Sequence, residues 1–73
     1  MVPDYPRAYI AQLETLAGKA EQRVGEQRQL LERLERAGVD AGEARTLLMA
    51  LEHHLEELQA ELQLARRLAG GAD

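Results

Sequence analysis

Apolar residues recur along this chain at spacings of three and four, in two runs separated by a short polar break. In the first run Ile10, Leu13, Ala17, Ala20, Val24, Leu31 and Leu34 take the two core positions of a seven-residue repeat, and Gln27 alone interrupts them. In the second, Ala44, Leu48, Leu51, Leu55, Leu58, Leu62, Ala65 and Ala69 do the same. That period predicts two amphipathic helices. Asp4-Tyr5-Pro6 opens the first, because aspartate can cap orphan amides and proline is tolerated in a first turn. Gly38 supplies the left-handed residue that ends it. Asp40, with Glu43 three residues on, restarts the chain as a capping-box-like pair. The expected organisation is a single helical hairpin, with helix one over about 5–37, a turn at 38–40, helix two over about 41–69 and a flexible tail at 70–73. Gly18 and Gly25 lie inside the first helix, each at a cost of ~1 kcal/mol relative to alanine.

The charges choose how the helices pair. Glu14, Glu21, Arg28 and Glu35 recur every seven residues on the first helix, and Arg45, Glu52, Gln59 and Arg66 on the second. Folding the chain back near Gly38 sets Glu35 against Arg45, Arg28 against Glu52 and Glu14 against Arg66, three opposite-charge pairs of four. Flanking positions of an antiparallel coiled-coil-like pair should do this. The same fold sets Leu34 against Ala44, Ala20 against Leu58, Ala17 against Leu62 and Leu13 against Ala65. Large faces small, so the helices can approach closely and still fill space.

The other flank is different. It carries Tyr9, Leu16, Arg23 and Leu30 from helix one and Leu47, His54, Glu61 and Leu68 from helix two. Folding brings Leu30 beside Leu47 and Tyr9 near Leu68, an apolar patch towards each end with a polar middle between. A core wider than two helices can cover is the pattern of a bundle helix. These eight residues are the expected interface. A second hairpin covering it would give an all-α, antiparallel four-helix bundle with two-fold symmetry. The alternative occupant is a heterologous partner helix in the same groove, which would make the chain a regulatory adaptor. Gln27 sits at a core position facing Leu51, and with Arg23, His54 and Glu61 forms a candidate polar girdle that fixes register and partner number. The other reading of these side chains is that they snorkel to water at a loosely packed waist.

Composition narrows the function classes. The chain has 73 residues, and a lone core of this size rarely supplies more than ~3–5 kcal/mol, so association is expected. It has no cysteine, so neither disulfides nor thiolate metal sites can staple it. A net charge of −4 with interspersed signs argues against a nucleic-acid surface. The longest apolar run is the five residues 47–51, against the ~20 needed for a membrane span. Residues 1–10 do not read as a signal peptide, so the expected location is the cytoplasm. Serine is absent, Thr15 and Thr46 are the only hydroxyls besides the tyrosines, and there is no phosphate loop, so no enzyme and no cofactor are expected. The one stretch resembling a site is residues 52–57, where Met49, His53 and Glu57 share a helical face four residues apart. Di-iron bundles use Glu-x-x-His on two helices, whereas here the order is His-x-x-Glu in one copy; no metal site is assigned, and a metal-binding bundle stays a distant alternative. His54, nearer the seam, is the better candidate for a pH-sensitive contact.

Residues 27–40, followed by Ala44, Leu47-Leu48, Leu51 and a closing Arg66-Arg67-Leu68, resemble a group of short uncharacterised helical-hairpin proteins of alphaproteobacteria. Those share a Gln-Arg…Leu…Leu…Gly-x-Asp…Ala…Leu-Leu…Leu pattern, and the Gly-x-Asp turn with the following Ala and Leu-Leu is its most specific part. The resemblance covers roughly residues 7–68 and implies the hairpin fold and a bacterial source, with no activity attached. The function expected from the residues themselves is a small non-enzymatic interaction module that self-associates through its apolar flank.

Overall fold

A computed structural model describes residues 7–70, which form two α-helices, α1 (Arg7–Arg36) and α2 (Gly42–Gly70), packed against each other as an antiparallel hairpin. The turn is built as the glycine position demands. Gly38 has φ of 73°, its amide donates to the Glu35 carbonyl at 3.1 Å, and the Val39 amide donates to the Leu34 carbonyl at 3.2 Å. Those two bonds make a Schellman motif, which satisfies carbonyls the helix end would leave bare. Ala37, expected as the last helical residue, lies instead in this turn, because its own conformation is already committed to the cap.

Asp40 caps the second helix. Its Oδ1 accepts from the Gly42 amide at 3.0 Å, and the first intrahelical bond runs from the Arg45 amide to the Ala41 carbonyl at 2.9 Å. The expected capping box does not form among the described residues: Asp40 accepts from the amide two residues on rather than from that of Glu43, and no hydrogen bond returns from the Glu43 side chain to Asp40. Ala41 is buried, a core residue the heptad pattern does not mark because it precedes the first helical turn. At the far end α2 runs through Gly70, which was expected in the tail. The cap expected at residues 4–6 and the tail at 71–73 lie outside the described residues.

The closed part of the core lies in the half of the rod away from the turn. Leu13, Ala17, Ala20 and Val24 of α1 and Leu62 and Ala65 of α2 are buried, with Tyr9, Ile10 and Leu58 packed against the Leu13–Leu62–Ala65 cluster. Alanines at three of these positions let the helices approach until the leucines opposite them lose their water. Towards the turn the seam carries Leu31, Leu34, Leu48, Leu51 and Leu55, all only half-buried. These side chains are large on both helices, and two helices cannot cover them from every side. Ala69, expected in the seam, is exposed: it lies in the last turn of α2, where the register sets it against the very start of α1.

All three expected interhelical ion pairs form. Arg28 Nη2 lies 2.8 Å from Glu52 Oε2, Arg45 Nη2 2.9 Å from Glu35 Oε2, and Arg66 Nη2 2.6 Å from Glu14 Oε2. They pin a register along nearly the whole rod. Their side chains stay roughly half exposed, so each contributes only ~0.2–1 kcal/mol.

Candidate interaction interface

The ion-paired flank is bridged by its own charges, with a groove beside the Glu14–Arg66 pair lined by Gly18, Glu21, Gln59 and Gln63; the opposite flank carries exposed leucines. Leu16, Leu30, Leu47 and Leu68 remain 42%, 37%, 50% and 51% exposed on the isolated hairpin. They stand at equivalent positions of the repeat, so helix geometry alone aligns them on one side of the rod. Half-exposed leucine in such a row differs from the scattered surface leucine of ordinary proteins, such as Leu64 on the outer side of α2.

Two shallow grooves run along this flank, and they share a boundary. Near the turn, Leu30 and Leu47 line one groove with Gln27, Leu51, Arg23 and Arg33. Further along, Leu16, Ala20, His54 and Leu58 line the next, with Arg23, Glu26 and Leu51 common to both. The structure therefore places Leu30 with Leu47, and Leu16 with Arg23 and His54. The Tyr9 hydroxyl donates to Glu61 Oε1 while its side chain packs on the Leu13–Leu62–Ala65 cluster.

The polar girdle does not assemble within the hairpin. Gln27 Nε2 donates 3.0 Å to the Ala44 carbonyl, seven residues before the Leu51 it was expected to face, and Glu61 is engaged by Tyr9. No hydrogen bond joins Arg23, Gln27, His54 and Glu61 to one another among the described residues. Arg23 and His54 are both exposed at the groove wall. Sequence could not anticipate the Ala44 contact, because a backbone carbonyl already in a helix ladder gives no signal that its second lone pair will be used.

The other chemical candidates stand apart from this flank. His53 Nε2 is 3.8 Å from Glu57 Oε1 on a strongly exposed face, and no group of three metal-ligating side chains gathers among the described residues. Thr15 Oγ1 donates to the Ala11 carbonyl and Thr46 Oγ1 to the Gly42 carbonyl, both at 3.0 Å, so each hydroxyl is engaged by its own helix. Among the described residues no helix is long and apolar enough to cross a membrane. No family model matches this chain, and neither a curated protein nor a solved structure matches it.

Proposed function

We propose that this chain is a small non-enzymatic protein–protein interaction module that self-associates through the apolar flank into an antiparallel four-helix bundle. One observation carries the reading: one side of the seam is polar and bridged by three ion pairs, while on the other four aligned leucines stand open. Their exposures together amount to nearly two fully exposed leucines per chain. Burying that much is worth about 3–5 kcal/mol per copy, or about 5–11 for a symmetric pair. The half-buried Leu51 and Leu58 at the groove floor add to it. Association costs ~4–15 kcal/mol, so a reversible dimer in this range is what the flank can support.

Light scattering across a concentration series tests this. The parent chain should reach twice its 8.1 kDa mass as concentration rises. Leu30→Glu and Leu47→Glu should each hold it at the single-chain mass with helicity largely retained, because both side chains are outside the buried core. A parent that stays monomeric and well folded would sink the proposal and hand the groove to a helix of another protein. Unchanged dimer mass in both variants would show that association uses a different face.

A further inference from the structure

We infer that the second copy docks end for end, with the two turns at opposite ends of the bundle, so that Glu61 of each copy meets His54 and Arg23 of the other. The inference rests on the proposed self-association and adds its orientation. The ion pairs fix the register of the hairpin, and that register ranks the flank into four levels seven residues apart. Counted along the two helices in that register, the levels from the turn outward are Leu30 with Leu47, Arg23 with His54, Leu16 with Glu61, and Tyr9 with Leu68, the Tyr9 hydroxyl reaching one level inward to Glu61.

Two two-fold arrangements cover this flank with another copy while keeping neighbouring helices antiparallel. With the turns at the same end, every level meets itself. Two Arg23 side chains then share one layer, each with Glu26 of its own helix in the same groove, and the two Glu61 carboxylates sit a heptad away, about 10 Å at 1.5 Å per residue. That is a full Debye length at ordinary salt, so Glu61 adds little attraction for Arg23 in this arrangement. With the turns at opposite ends the order of levels reverses. Leu30 and Leu47 then pack on Tyr9 and Leu68 of the second copy, and the level of Arg23 lies on the level that holds Glu61. Apolar meets apolar in the two outer layers, and Arg23 gains a carboxylate in the two middle ones. Glu61 keeps its Oε2 for this contact while Oε1 accepts from Tyr9. The girdle missing within one hairpin is completed by two.

Because the chain has no cysteine, engineered thiols report the arrangement cleanly. Leu47→Cys and Leu68→Cys variants, each half exposed at its site, are mixed and oxidised; Leu30→Cys mixed with Leu47→Cys is the counterpart. End-for-end docking gives a reducible band at twice the chain mass as the main product of the 47/68 mixture, with little from the 30/47 mixture. The opposite pattern overturns it in favour of turns at the same end. A dimer by light scattering that links in neither mixture overturns it as well, since neither geometry then describes the contact. A parent chain that is monomeric at every concentration refutes the self-association itself, an outcome read from mass alone.

Discussion

Leu62 and Leu64 lie two residues apart on the same helix, and the fold assigns them opposite energetic roles. Leu62 is 7% exposed within the Leu13–Ala65 cluster, whereas Leu64 is 49% exposed on the outer side. Truncation to alanine removes the same atoms at both sites and changes helix propensity almost equally. At position 62 it also opens a cavity. The residues around it include Ala17 and Ala65, too short to reach into the gap, so the site cannot collapse to heal it. A loss of about 2–4 kcal/mol is expected for Leu62→Ala, set against a core of this size that supplies ~3–5. At ~4–8 °C per kcal/mol for a domain of this length, the thermal midpoint should fall by roughly 10–30 °C. Leu64→Ala should stay within about 0.5 kcal/mol of the parent. Both are followed by far-ultraviolet circular dichroism at one fixed chain concentration, because the proposed self-association would make the midpoint concentration-dependent. Equal shifts for the two variants would refute the placement of the seam.

Other expectations follow from single contacts. Gln27→Leu should raise stability by about 1 kcal/mol in urea titration, since the Ala44 carbonyl keeps its helix bond and the new side chain extends the seam towards Leu51. Light scattering on the same variant should show poorer discrimination against higher oligomers, the usual consequence of removing a core polar residue. Gly38→Ala should cost about 1–2 kcal/mol through its left-handed φ, whereas Gly18→Ala and Gly25→Ala should each gain about 0.5–1, as an added Cβ meets nothing within 4 Å at either.

The hairpin was legible because three independent signals in the sequence agree on one register: core periodicity, facing volumes and facing charges. Each is a repeated pattern, so an error at one position is outvoted by the rest. The Schellman turn at Gly38 was legible for a different reason, a backbone conformation that glycine alone adopts cheaply. What sequence left unread are contacts of single side chains with no periodic partner. Tyr9 turned to Glu61 and Gln27 to a backbone carbonyl, and both are choices among rotamers decided by the final separation of the helices. Likewise, periodicity marked Ala69 and missed Ala41, since it counts positions along a helix and cannot see where the opposing helix ends.

The charged flank contributes little energy and much specificity, so the apolar flank is not needed to set the register of the hairpin. Three half-exposed ion pairs together are worth about as much as one buried leucine. Slipping the helices by one heptad in one direction keeps apolar residues in the seam but sets Arg28 against Arg45 and Glu21 against Glu52. Slipping the other way sets Glu35 against Glu52 but also Glu21 against Arg66, so charge alone does not reject it. Either slip also moves the turn by half a heptad, off the glycine that closes it with φ of 73°. Like-charge opposition therefore disfavours the first slip and the misplaced turn disfavours both. With register settled on that side, the open flank need contribute nothing to folding the hairpin correctly. Its order of leucine, arginine with histidine, leucine with glutamate, and tyrosine with leucine complements itself better reversed than in parallel, and this is the ground on which a second copy of this chain is proposed as its occupant.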